Sequence, residues 1–152
     1  MKKQPLLLTL LVAASLFIFS ACDKNNDPAP KTKTQLVSQS SWKFKSATAN
    51  GTDISNQDPP FSACRKDNIL TFTAAGSGTV AEGTLVCSPP ENTAFTWNFA
   101  TGETIIHVST PLYPGTGNDF TLVSVSETEM VLQIGYSPTV GPIILITITF
   151  QH

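Results

Sequence analysis

Charge is scarce in this chain: Asp, Glu, Lys and Arg make up 13% of its 152 residues, and the formal net charge is −2. Such sparse, slightly acidic composition excludes a surface built for nucleic acid and argues against electrostatic docking on anionic lipid. Histidine is scarcer still, with only His107 and His152, and two isolated histidines supply neither a metal site nor a partnered catalytic base. The motifs Gly-x-Ser-x-Gly and His-Glu-x-x-His are missing, as is a glycine-rich phosphate loop. Helical periodicity is also nearly missing. These absences argue against an enzyme and leave the sequence without a catalytic residue, a metal or a cofactor to name.

What is present begins at the N-terminus. Lys2 and Lys3 lead an apolar stretch from Leu6 to Ala21, broken only by Thr9, Ser15 and Ser20. At about 1.5 Å per residue this stretch falls short of a comfortable bilayer span. A basic start, an apolar middle and small residues before a cysteine read as a signal peptide over residues 1–21, cut before Cys22. With Ser20 and Ala21 ahead of it, Cys22 resembles the lipobox cysteine of bacterial lipoproteins. That resemblance implies a diacylglycerol thioether and an N-acyl chain, and several acyl chains, at about 0.8 kcal/mol per buried CH₂, hold a protein on a membrane.

Residues 22–33 are therefore read as the lipidated cysteine and a flexible tether, polar and carrying Pro28 and Pro30, with too little apolar surface to fold. The run Asp23-Lys24-Asn25-Asn26-Asp27 is similar to the surface-export signal of Bacteroidota lipoproteins. This implies an outer-membrane protein, with surface display favoured over a periplasm-facing anchor. Residues 34–152 make one domain of ordinary size. Loss of the signal leaves seven basic residues against eleven acidic ones.

An exported chain with two cysteines besides Cys22 most simply joins them, so a disulfide between Cys64 and Cys87 is expected. The rival readings, a reactive thiol pair or a metal site, find neither Cys-x-x-Cys spacing nor a nearby histidine.

The mature chain is patterned for β-structure. Strands are expected at Trp42–Lys45, Ile69–Thr73, Thr79–Cys87, Phe95–Phe99, Thr104–Val108, Phe120–Val125, Met130–Tyr136 and Ile143–Phe150. Turn signals separate them at Asn50-Gly51, Gly76-Ser77-Gly78 and Thr101-Gly102, with longer loops at Thr110–Asn118 and Ser137–Pro142. Arg65-Lys66-Asp67-Asn68 reads as a tight turn locked by the disulfide. A short turn or helix at Thr34–Gln39 can plug one end. Eight strands in sequential hairpins, without a helix long enough for a parallel crossover, fit an all-β, up-and-down antiparallel barrel.

Ser41-Trp42-Lys43-Phe44, the entry Cys64–Asn68 into Leu70-Thr71-Phe72, Gly78, Gly83, Cys87, Phe95-Thr96-Trp97 and the closing Ile146–Phe150 resemble the small lipocalin-like domain of Bacteroidota lipoproteins. The resemblance implies a ligand-binding barrel, so the function expected is a membrane-anchored envelope protein holding a small apolar or amphipathic ligand. The alternative is a filled barrel serving as an interaction or scaffold module of a surface complex, with an envelope protein as partner.

An eight-stranded barrel is just wide enough to be filled by its own side chains or to hold one small ligand. The inward-facing aromatic residues, Trp42, Phe72, Phe95 and Trp97 among them, predict a largely filled core with at most a shallow pocket at one mouth. Trp42 and Trp97 are the expected walls of any such pocket. Phe61 and Tyr113, each beside prolines, suit partner contact if exposed, the other reading being that they cover the barrel ends. His107, out of phase with Ile106, is expected to face solvent.

Overall fold

Alternation of apolar and polar residues carries through most segments, and in the computed structural model, which describes residues 29–152, it closes into an antiparallel barrel. The signal peptide, Cys22 and the tether as far as residue 28 lie outside the described residues. Lys31 to His152 form one unit. In chain order its elements are α1 (Lys33–Val37), β1 (Trp42–Ala49), β2 (Thr52–Asp53), α2 (Ala63–Asp67), β3 (Ile69–Phe72), β4 (Ser77–Ala81), β5 (Thr93–Ala100), β6 (Ile105–Val108), β7 (Asp119–Val125), β8 (Glu129–Tyr136) and β9 (Ile144–Gln151).

Strands β3 to β8 each pair with their successors, and β1 pairs with both β3 and β9, so eight strands close an up-and-down barrel as the sequence predicts. β2 is an extra two-residue strand on the far tip of β1. Strict alternation is clearest in β8, where every second residue from Met130 to Tyr136 is buried. β1 starts with Trp42 inward, then a register shift between Phe44 and Ser46 turns Ala47 to the core. A second shift, between Leu122 and Ser124, leaves Val123 on the outside. Both are bulges, in which one extra residue re-aims the strand.

The interior is filled. Trp42, Phe72, Phe120, Phe150, Ile106, Met130, Leu132, Ile146 and Ile148 are fully buried in one apolar cluster. The Phe72 ring meets Phe95 and Trp97 edge-on at 5.4 and 5.3 Å between centroids, an arrangement that aromatic quadrupoles favour. Gly78 makes room for this layer, because a Cβ there would collide with the Phe95 ring.

Local structure differs from the sequence reading in several places, and β1 runs on to Ala49, past the expected Lys45. The strand expected to reach Cys87 ends at Ala81, because the Glu82 carboxylate folds the following segment back by accepting from the backbone N–H groups of Cys87 and Glu91 at 2.7 and 3.1 Å. The turn expected at Gly76–Gly78 lies over Thr73–Gly76, with the Thr73 N–H bonded to Ser77 O. Arg65-Lys66-Asp67 belong to α2 rather than to a bare turn.

Up-and-down order gathers the connections at two ends. One end holds α1 and the short turns before β4, β6 and β8; we call it the α1 end. The other, the loop end, holds the segment from Gly51 to Asn68 with β2 and α2, and the connections at 82–92, 109–118 and 137–143.

Candidate functional site

Closure of the loop end starts from a weak seam. β1 and β3 share only the pairs Trp42↔Leu70 and Lys43↔Ile69. Above that seam the backbone of Ala47 finds partners in the next segment instead: its N–H donates to Ser55 Oγ and its carbonyl accepts from the Ile54 N–H, each at 2.9 Å. The Gly51–Asn68 segment thereby folds over the mouth and drives Phe61 into it.

Phe61 is 1% exposed, and Tyr113 is 7% exposed. Their rings lie 5.3 Å apart, and Phe61 also packs against Phe44 at 5.1 Å. The two aromatics therefore cover the barrel end, and neither ring is offered to a partner. A ring flanked by prolines in a loop is apolar enough to be drawn into the core when the mouth beneath it is open. Burial alone pushes the Tyr113 hydroxyl above its ordinary pKa of 10.0, since the phenolate would lose its water.

α2 and the 82–92 connection are fastened to one another at several points. Cys64 and Cys87 form the expected disulfide, with Cα atoms 5.3 Å apart. One residue further on, Arg65 holds the Glu91 carboxylate in a fork, with Nη2 at 2.6 Å and Nε at 3.0 and 3.1 Å. That bond to Glu91 raises the guanidinium pKa above its already high value. Asp67 Oδ2 accepts from the Leu85 N–H at 2.7 Å. Gly83 sits so close to Asp67 that a Cβ would strike both its backbone carbonyl and its carboxylate. Between these fastenings the loop holds Leu85 and Val86 out in solvent, and across the same end Val140, Ile143 and Leu145 are also exposed.

Two spaces adjoin this structure. An open groove of about 370 Å³ runs along Val80, Pro90, Glu91, Thr93 and the segment Pro111–Thr116. Behind it a void of about 10 Å³ lies among Arg65, Asn68, Leu70, Val80, Leu112, Tyr113 and Phe150. Asn68 lines it, and its Oδ1 is buried without a hydrogen-bond partner, alone among the buried side-chain polar atoms of the described residues. Buried polar atoms are nearly always paired, so such an exception marks a place of interest.

The tryptophans expected to wall a single pocket lie apart in function. The Trp42 indole N–H donates to Val37 O at 2.8 Å, and its ring is sealed beneath His152, which stacks on it at 3.9 Å. The Trp97 N–H donates to Thr73 O at 3.0 Å. The Trp97 side borders a shallow groove of about 380 Å³ at the α1 end, shared with Thr34, Gly76, Asn98, Phe99 and Glu103. Both indole donors are thus spent on backbone carbonyls.

His107 stands on the outer face as expected, its Nδ1 2.6 Å from Asp119 Oδ1 on the neighbouring strand. Among the described residues no group of three potential metal ligands converges. Sequence reading took Asn68 for turn chemistry and did not single out Pro90 or Pro111; the signal available was the proline in the 110–118 loop. Against known proteins, the chain matches no family model and no curated sequence.

Proposed function

We propose that this protein is a non-enzymatic envelope lipoprotein, lipid-anchored at the outer membrane through Cys22, whose barrel works through its outer surface at the loop end rather than as a carrier with a ligand in its lumen. The observation that carries this reading is the filled interior. The inward side chains of seven barrel strands form one buried cluster, against which Val80 of β4 packs half-buried, and the void behind Tyr113 has room for about one water molecule. A carrier pocket for a drug-sized ligand commonly measures about 300–1,000 Å³ and encloses most of its guest.

The loop end supports the reading from the other side. Leu85, Val86, Val140, Ile143 and Leu145 are exposed there, and the first two are held in place by a disulfide and side-chain hydrogen bonds. A rigid apolar loop loses little freedom on binding, which favours recognition of an envelope partner. The signal-like N-terminus and the resemblance to lipocalin-like lipoproteins support the location.

Native mass spectrometry with lipid extraction tests the proposal on the chain from residue 23, expressed with export. The expected result is a bare mass, two hydrogens below the reduced chain. A lipophilic molecule retained at one per chain, with contacts to Trp42 or Ile148, would overturn it. The anchor has its own test: wild-type protein should partition into detergent and Cys22→Ala should not.

A further inference from the structure

The groove and the void at the loop end have three walls in common, Val80, Leu112 and Tyr113. On the groove side the surface is mixed: the rings of Pro90, Pro111 and Pro114 and the side chains of Val80 and Leu112 lie beside Thr93, Thr116 and Glu91. Asn68 is one wall of the void, and its Oδ1 is buried with no partner in the protein. Leu112, half-buried, separates the two. We propose that groove and void together form a binding site for a neutral amphiphile bearing a hydroxyl head, the apolar body lying along Pro90, Pro111 and Pro114 and the hydroxyl entering past Leu112 to meet the Asn68 amide. This inference rests on the loop end being the working end of the barrel.

The head group follows from the charges on the page. An anionic head finds no free cation, because the Arg65 guanidinium is already forked onto Glu91, and the Glu91 carboxylate on the groove edge repels it. A cationic head would surrender its hydration to enter a void lined by Leu70, Tyr113 and Phe150, and an ion unpaired in such surroundings is strongly disfavoured. A hydroxyl is neutral and about the size of the water the void could hold. It also both donates and accepts, so it satisfies the Asn68 amide in either of that group's two orientations. The hydroxyl offers a partner to a buried polar atom that has none within the protein itself, which is where a single hydrogen bond gains most.

The test uses 1-hexanol and hexanoate as probes on the ¹⁵N-labelled chain from residue 23, which contains the whole Lys31–His152 unit. Hexanol should give saturable shifts at the amides of Val80, Glu91, Leu112, Tyr113 and Thr116. Its C1 methylene should show a nuclear Overhauser effect to the Asn68 side-chain NH₂. Hexanoate at neutral pH should bind about tenfold more weakly or worse. Asn68→Leu, close in shape and without the amide, should keep the native spectrum and lose about five- to tenfold in hexanol affinity.

Absence of saturable shifts, equal binding of hexanoate, or unchanged affinity in a folded Asn68→Leu protein would each overturn the proposal. If that variant does not fold, the Overhauser contact in the wild-type protein decides: its absence under saturation also overturns the proposal. These failures are distinct from failure of the filled-barrel reading, which would appear as a molecule retained in the lumen through purification.

Discussion

At the α1 end the barrel is closed by a short piece of main chain, and at the loop end by a plug that other segments tie down. The α1 closure is local. Thr32 caps the helix with its hydroxyl while the Gln35 side chain bonds back to the Thr32 N–H, a reciprocal capping box. Trp42, five residues beyond Val37, fixes the helix by donating to the Val37 carbonyl. The loop closure draws on segments far apart in sequence, joined by the 64–87 disulfide and the Arg65–Glu91 fork.

Charge divides the same way. Lys31, Lys33, Lys43 and Lys45 sit at the α1 end with Glu103, Glu127 and Glu129, whereas the loop end carries Asp53, Asp58, Asp67, Glu82, Glu91 and Asp119 against Arg65 and Lys66. One end is built as a floor. The other is an acidic rim from which aliphatic side chains project.

The largest expected effect comes from attacking the floor at its anchor. Trp42→Ala removes a fully buried ring and leaves the Val37 carbonyl without its donor, so it should cost about 3–5 kcal/mol, read as a lower denaturant midpoint for the whole domain. Next is the clamp at the rim. Replacing Cys64 and Cys87 together by serine frees a loop with a sequence separation of 23, and the chain-entropy estimate is about 3 kcal/mol.

The two losses should differ in kind as well as size. In the double serine variant, amide exchange should accelerate at residues 82–92 and in α2 while β7–β9 keep their protection relative to global unfolding; uniform acceleration would erase the distinction between a local floor and an assembled rim. The smallest effect belongs to the cap. Thr32→Ala should lose about 1 kcal/mol, and exchange at Gln35 should report it before any strand amide does.

The barrel was legible because its signal is local and repeated. Alternation in segments such as Met130–Tyr136 and Ile144–Phe150 states which face is inward without knowledge of the partner strand. Legibility failed where tertiary contacts outweigh local preference. Thr84-Leu85-Val86-Cys87 has strand composition, yet Asp67 and Glu82 capture its backbone and bend it into a loop.

α2 is five residues long, too short for a period to show. Phe61 and Tyr113 beside their prolines lean only slightly towards covering the barrel ends when read as sequence. What decides is the thin β1–β3 seam, which no residue in that stretch announces. The disulfide was readable from the expected export and the cysteine number, but the orphan carbonyl of Asn68 was not, since a residue that reads as turn chemistry gives no sign that it will line a void with Leu112 and Phe150.

The same thin seam orders events in time. β1 is made before any other strand, yet its main partner is β9, the last strand in the chain, and β3 offers it only two residue pairs. Pairing across so much chain must wait until loop-closure entropy can be met by the finished meander of β3 to β9. Until then Trp42 and Phe44 travel on an unpaired strand. The first apolar stripe of the domain to be made is thus the last to be hidden, and that interval is when the chain is most open to a chaperone or to aggregation.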